Sequence, residues 1–147
     1  MSTLLEKGIE IEEYVINKLK SEFPEDIEII HQKTWGSDII FKNGSTYQIE
    51  VKSARAFIKQ KFKKRRTILR QGTFYICPHQ VAEADYFAFV IVYNDHQQLF
   101  YVDGDNVRDL LGSRKKHAKR YAISIPQMKK LQPKTKFSCF LRKEEDN

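Results

Sequence analysis

The segment that most restricts the fold is DYFAFVIVY, residues 85–93. It combines aromatic and β-branched residues, which favour strands, in a nearly continuous apolar run. A strand of this composition is predicted to be buried on both faces, as in the interior of a covered sheet. Residues 98–102 follow the turn NDHQ and are expected to pair with it as an antiparallel strand.

Helical and strand-like patterns alternate along the rest of the chain. Residues 4–23 predict a helix, because Ile9, Ile16 and Leu19 recur at helical spacing and Pro24 closes the segment. Asp105 is the expected N-cap of a short helix that Gly112 ends. A helical turn is expected at residues 126–131, and further strands are expected at residues 27–32, 38–41, 46–53, 73–77, 121–125 and 136–141.

This order of elements predicts an α/β (α+β) protein with a mixed central β-sheet flanked by helices. At 147 residues the chain has the length of a single domain, so residues 1–147 are taken as one. Residues 142–147, RKEEDN, are expected to form a disordered tail.

Two further features bear on the cellular location. No run approaches the roughly 18 apolar residues that a membrane span requires, and the N-terminal MSTLLEKG lacks the hydrophobic segment of a signal peptide. A cytoplasmic location is therefore expected. Cys77 and Cys139 lie far apart without partners at metal-ligand spacing, so both are predicted to be reduced, buried thiols.

The net charge of +7 is concentrated in two basic clusters. Residues 55–70 hold eight basic residues and no acid, and residues 113–120 hold five more. Such clusters are typical of surfaces that bind the phosphate backbone of nucleic acid, although a merely solvated face is the alternative. Segment 54–70 fits either a helix or a long mobile loop. The residues expected to contact DNA are Arg55, Lys59, Lys61, Lys63, Lys64, Arg65, Arg66, Arg70, Arg114, Lys115 and Lys116.

A β-hairpin is predicted around the turn KNGS, residues 42–45, because Asn-Gly favours a tight reversal between strands. Side chains alternate along the second strand of this hairpin. Gln48, Glu50 and Lys52 therefore share one face, and the apolar residues between them share the other.

The length of the turn decides whether Asp38 joins this polar face. A two-residue loop places Asp38 opposite Ile49, on the apolar face. A three-residue loop, with Gly44 in the left-handed conformation, places Asp38 opposite Gln48 and diagonal to Glu50. Burial favours the three-residue loop, because that register also puts the apolar residues of the first strand on the apolar face.

Two carboxylates that converge from neighbouring strands can hold a hard divalent cation. Mg²⁺ is typically bound by one or two carboxylates with water and phosphate oxygens, and it lowers the pKa of bound water. Lys52 lies on the same face as Glu50, where it can orient or help deprotonate the attacking water, or stabilise developing negative charge. Glu12 is a further candidate, because it interrupts the apolar helical stripe of residues 9, 16 and 19 and a buried carboxylate needs a partner. The alternative is that Glu12 reaches water at the edge of that stripe.

The remaining polar residues carry less information. The four histidines are scattered without the spacing of metal ligands. His79 and Gln80 follow a predicted strand, so they either face the site or have a role in a turn beside Pro78, and the turn role is favoured.

Asp38, the Glu50-Val51-Lys52 triplet and the upstream helix glutamate together resemble the PD-(D/E)XK nuclease superfamily. Members of that superfamily share a catalytic Asp, a second acid and a lysine on a β-hairpin. The resemblance implies a restriction-endonuclease-like fold and a catalytic role for Lys52. The metal ligands that it implies are Asp38, Glu50, the backbone carbonyl of Val51 and Glu12.

Two closer likenesses extend the resemblance over residues 7–107. KGIEIEEYVINKL, residues 7–19, resembles the opening of archaeal Holliday junction resolvases, in which a Lys-Gly pair precedes the helix glutamate. Residues 83–107 resemble the segment that follows the motif in small intron-associated PD-(D/E)XK endonucleases. The chain departs from the pattern at Ser37, where the proline of the motif would stand.

These features predict a Mg²⁺-dependent DNA endonuclease, in which Mn²⁺ is expected to substitute for Mg²⁺. The substrate is either branched DNA, as for a Holliday junction resolvase, or a specific duplex site, as for a homing or restriction enzyme. Two cuts require two active sites and one small chain carries one, so a homodimer or higher homo-oligomer is expected. The alternative is a non-catalytic DNA- or RNA-binding module that keeps the fold and its basic surface.

Overall fold

The computed structural model describes residues 4–23, 27–32, 38–62, 66–112 and 119–145, and within them all side chains except those of residues 4–7, 60–62, 66–68 and 142–145. The helices are α1 (Leu4–Glu22), α2 (Pro78–Glu83), α3 (Gly104–Leu111), α4 (Ile125–Lys129) and α5 (Ser138–Glu145). The strands are β1 (Glu28–His31), β2 (Ile39–Asn43), β3 (Ser45–Arg55), β4 (Ile58–Phe62), β5 (Arg66–Arg70), β6 (Thr73–Ile76), β7 (Tyr86–Val92), β8 (Gln97–Asp103) and β9 (Tyr121–Ser124).

The central sheet is mixed, as predicted. Its five strands follow the order β1-β2-β3-β7-β8, and every neighbouring pair is antiparallel except β3 and β7, which run parallel. Two small sheets, β4-β5 and β6-β9, stand beside it. The chain is therefore a mixed α/β protein whose hairpin β2-β3 is joined in parallel to β7.

Strand β7 confirms the prediction of burial on both faces. Its residues alternate between two apolar cores, with Ala88 and Val90 in one and Phe87 and Phe89 in the other. Helix α1 contributes to the first core, and helices α3 and α4 contribute to the second. The fully buried side chains that build these cores include Leu19, Ile39, Phe41, Ile49, Phe74, Val107, Ile123, Met128 and Phe137.

The basic segment is a hairpin of two strands, so the predicted helix or loop at residues 54–70 is wrong. β4 and β5 pair antiparallel with Ile58 opposite Arg70 and Phe62 opposite Arg66. β-branched residues in this segment favour strands, but the closely spaced lysines and arginines hide the alternation from a reading of hydrophobicity alone. The structure leaves residues 63–65 outside its description.

The strand predicted at residues 136–141 is also wrong, because helix α5 begins at Ser138. The carboxylate of Glu22 accepts hydrogen bonds from the backbone N–H groups of Phe137 and Ser138, both at 3.1 Å. A cap supplied from another helix satisfies the first donors of α5 and leaves no local sequence signal. The helical backbone continues through Glu145, into the predicted tail, and residues 146–147 lie outside the described ranges.

The sequence also led to expectations about the α3 cap, the two cysteines and membrane-spanning segments. The N-cap of α3 is Asp103 and not Asp105, since the Asp103 carboxylate accepts from the backbone N–H of Asp105 at 2.8 Å. Cys77 and Cys139 are free thiols, as predicted, but both are half-buried and not buried. Among the helices that the structure describes, none combines the length and apolar character needed to cross a membrane.

Candidate metal centre

The register of the β2-β3 hairpin differs from both predicted turns. Ile39 pairs with Ile49 and Asn43 pairs with Ser45, so Gly44 alone forms the tip, with a left-handed φ of 78°. Asp38 comes directly before Ile39, so in this antiparallel register it lies opposite Glu50. Burial of the apolar residues decides which face each side chain takes, but any even shift of register satisfies it, and a left-handed Gly44 is common to the predicted and the observed register.

Asp38 and Glu50 lie on the same face of this hairpin, as the favoured register predicted. One Asp38 oxygen, Oδ2, accepts a hydrogen bond from the backbone N–H of Val51 at 2.9 Å. Lys52 follows Val51 in the chain, and its Nζ lies 3.8 Å from Glu50 Oε1. The sheet thus brings both carboxylates and the lysine into one polar site.

Glu50 is buried with one oxygen unpartnered. Glu50 is 1% exposed, and among the described side chains it is the only charged one that is buried. Burial, followed by the charge of Asp38, raises the pKa of Glu50 from its usual value near 4.5 to about 8. Glu50 Oε2 has no hydrogen-bond partner. A proton shared with Asp38 or a bound cation would satisfy this oxygen, because two ionised carboxylates offer each other no donor.

Glu12 of α1 reaches the same site and is held there by a residue that the sequence did not indicate. Glu12 Oε1 lies 2.6 Å from Nε2 of His31, which stands on β1 opposite Ile39. Burial raises the pKa of Glu12, the hydrogen bond to His31 opposes that rise, and the charge of Asp38 adds to it. His31 was missed because only the pairing of β1 with β2 brings it beside the helix.

For Gln80 the sequence favoured a turn role over a place at the site. The turn role is wrong, because Gln80 lies in helix α2 and its Nε2 donates to Glu50 Oε1 at 2.9 Å. Gln80 belongs to α2, which lies on the long connection between β3 and β7. The contact joins residues thirty positions apart in the chain, so the local pattern alone could not decide between the two roles.

The donor set fits a hard divalent cation of the Mg²⁺ type. Within the described parts of the chain, no three His, Cys, Asp or Glu side chains are grouped so that they could hold a metal by themselves. Two carboxylates and a backbone carbonyl, completed by water, are however the ligands that Mg²⁺ accepts. The N–H and C=O of one strand residue point to the same side, so the Val51 carbonyl lies on the side of Asp38. Glu12 as a ligand stays a prediction, since its carboxylate is engaged by His31.

The structure describes only part of the predicted DNA-binding set. Arg55, Lys59 and Arg70 are exposed at the root of the β4-β5 hairpin. Lys61 and Arg66 are placed through their backbone, in β4 and β5. The remaining six lie outside the described residues, namely Lys63, Lys64, Arg65, Arg114, Lys115 and Lys116.

The sequence matches no known protein-family model and no curated protein at a significant level of similarity.

Proposed function

We propose that this protein is a Mg²⁺-dependent DNA endonuclease of the PD-(D/E)XK type, with a restriction-endonuclease-like fold. The observation that carries the proposal is the buried, unpartnered oxygen of Glu50 beside Asp38 and Lys52. Leaving a buried carboxylate oxygen without a partner is costly, and a bound ion is one of the ways in which a protein satisfies such a group. A cation held between two carboxylates would satisfy this oxygen and offset the burial of Glu50.

Asp38, Glu50 and the carbonyl of Val51 would hold Mg²⁺, or Mn²⁺ in its place. When bound, the ion would supply a water of lowered pKa and positive charge near the reacting phosphate. Lys52 follows Glu50 on the same face of β3, with its Nζ 3.8 Å from Glu50 Oε1. Its ammonium group would orient the attacking water, help to deprotonate it, or stabilise the negative charge that develops on the phosphate. Glu12, whose carboxylate contacts His31, is the proposed further acid from α1.

DNA is the proposed partner because Arg55, at the end of β3, and Lys59 and Arg70, at the root of the β4-β5 hairpin, are exposed. Branched DNA and a specific duplex site remain the two proposed substrates. The homodimer or higher homo-oligomer and the cytoplasmic location stay predictions from the sequence.

The decisive test is cleavage of plasmid and four-way-junction DNA with and without Mg²⁺. Wild-type protein is expected to cleave only with the cation, and Asp38→Ala or Lys52→Ala is expected to reduce cleavage by at least about 100-fold. Lys42→Ala is the matched control for Lys52→Ala, since Lys42 is exposed on the neighbouring strand and the change in charge is the same. Cleavage that is absent in wild type, or that survives both substitutions, would favour the non-catalytic DNA- or RNA-binding module.

A separate prediction concerns the binding of DNA. Arg55, Lys59 and Arg70 are to be replaced together with glutamine. The slope of log K for DNA binding against log salt concentration is then expected to become less negative by roughly 2 to 3, because each lost phosphate contact removes about 0.9 from the slope. Fluorescence anisotropy with labelled duplex in Ca²⁺ or EDTA would measure it. The control is the same replacement of three exposed lysines elsewhere, Lys129, Lys130 and Lys136. An equal change in both variants would show that total charge, and not this surface, governs binding.

A further inference from the structure

Gln80 connects the start of a helix to the candidate metal centre. Its Oε1 accepts a hydrogen bond from the backbone N–H of Cys77, the N-cap residue of α2, at 2.9 Å. Its Nε2 donates to Glu50 Oε1, also at 2.9 Å. One side chain therefore uses both ends of its amide, one on the helix cap and the other on the buried carboxylate.

The bond to Cys77 determines which end of the amide faces Glu50. A backbone N–H can only donate, so the group that meets it must be the amide oxygen. The amide nitrogen, which can only donate, is then directed at the carboxylate. A rotated amide would set two donors against each other at Cys77 and two acceptors against each other at Glu50, and would lose both bonds.

Helix α2 is also held at its other end. The guanidinium group of Arg108, on α3, donates to the carbonyl oxygens of Val81 at 2.7 Å and Ala84 at 2.9 Å. These bonds satisfy carbonyl groups that the short helix leaves free at its end. The backbone that carries Gln80 is therefore fixed on both sides of the residue.

We infer that Gln80 is a positioning residue for Glu50 and that it determines which carboxylate oxygen is offered to a divalent cation. It occupies Oε1 with a fixed donor, and this leaves the buried Oε2 as the oxygen free to bind the ion. Residues that hydrogen-bond to metal ligands commonly orient them in this way, and their loss typically costs roughly 10- to 100-fold in affinity for the metal or in activity. The inference rests on the proposed function, since it assumes that Glu50 binds a cation.

The chain contains a matched control for this role. Gln127 occupies the same position in α4, where its Oε1 accepts from the backbone N–H of the N-cap residue Ser124 at 2.9 Å. Both glutamines therefore cap a short helix in the same way, but Gln80 also reaches Glu50. Replacing each with methionine removes the same capping bond and leaves only the contact with Glu50 as the difference.

The test compares wild type, Gln80→Met and Gln127→Met by isothermal titration with Mg²⁺ and by cleavage assays. Gln80→Met is expected to weaken Mg²⁺ binding roughly 10- to 100-fold and to raise the Mg²⁺ concentration for half-maximal cleavage to match. Its KM for DNA is expected to stay at the wild-type value, which a general loss of structure would not allow. Gln127→Met is expected to bind Mg²⁺ as wild type does. If Gln80→Met fails to fold, Gln80→Asn takes its place, because its amide is one methylene too short to span both partners.

The outcomes of this test distinguish a failure of the role of Gln80 from a failure of the proposed nuclease function. Equal Mg²⁺ affinities for Gln80→Met and Gln127→Met, with wild type binding and cleaving, would overturn the role of Gln80 alone. A wild-type protein that neither binds Mg²⁺ nor cleaves DNA would overturn the proposed function, and this inference with it.

Discussion

Replacing Glu50 with glutamine is expected to stabilise the protein on the order of a few kcal/mol at pH 8 and to abolish its response to Mg²⁺. The folded-state pKa of Glu50 is raised to about 8, above the value near 4.5 of an exposed glutamate. Folding therefore favours the protonated acid. The stability that this group contributes is fully present below pH 4.5 and is lost as the pH rises towards 8. Glutamine is neutral at every pH, so the Glu50→Gln variant should not lose stability at this position as the pH rises.

Urea unfolding from pH 4 to pH 9 in EDTA would measure this difference, which should be near zero at pH 4, grow as the pH rises, and level off above pH 8. The matched control is Glu28→Gln, at an exposed position on β1 of the same sheet. In saturating Mg²⁺ the wild type is expected to gain stability by mass action, by about 2.7 kcal/mol at a concentration one hundred times Kd. A Glu50→Gln variant that is stabilised by Mg²⁺ as much as wild type would show that Glu50 is not a ligand.

Replacing Phe137 with alanine is expected to destabilise the protein by roughly 3–5 kcal/mol, the range measured when a fully buried aromatic ring is removed. Phe137 is 0% exposed, and it lies at the centre of a group of rings whose centroids are 5.0 to 6.4 Å from its own. Few small movements can close a cavity walled by large, rigid side chains. The neighbouring rings are Phe23, Phe41, Tyr47, Tyr86, Tyr101 and Phe140.

Thermal and urea denaturation at pH 5 would measure the effect of Phe137→Ala. The same substitution at Phe57, which is 62% exposed, provides the control and is expected to change stability by less than about 0.5 kcal/mol. If the two variants lost similar amounts of stability, Phe137 would not have the central packing role that its burial indicates.

The sequence predicted those features that depend on which residues must be buried. The apolar run of β7 required a covered sheet, and the alternation in the hairpin put Asp38 on the face of Glu50 and Lys52. These predictions succeeded because burial acts on each residue through its own side chain. The turn that connects the strands is governed by backbone conformation, and there the predicted register was two residues away from the one observed.

The features that were missed depend on partners far away in the chain. His31 reaches Glu12 because β1 pairs with β2, and Gln80 reaches Glu50 from helix α2, on the connection between β3 and β7. Helix α5 takes its cap from Glu22, more than a hundred residues earlier. Local periodicity contains none of this information, since the donor and the acceptor are brought together only by the tertiary fold.

The parallel pairing of β3 with β7 also has a consequence for the order of folding. An antiparallel hairpin can close through neighbouring residues, but a parallel pair must wait for a crossover connection, here residues 56–85, to be laid down. Asp38, Glu50 and Lys52 can therefore meet early, whereas Gln80 can join them only when that connection has docked. Because Gln80 lies on the connection itself, we expect its hydrogen bond with Glu50 to form after the β2-β3 hairpin has closed.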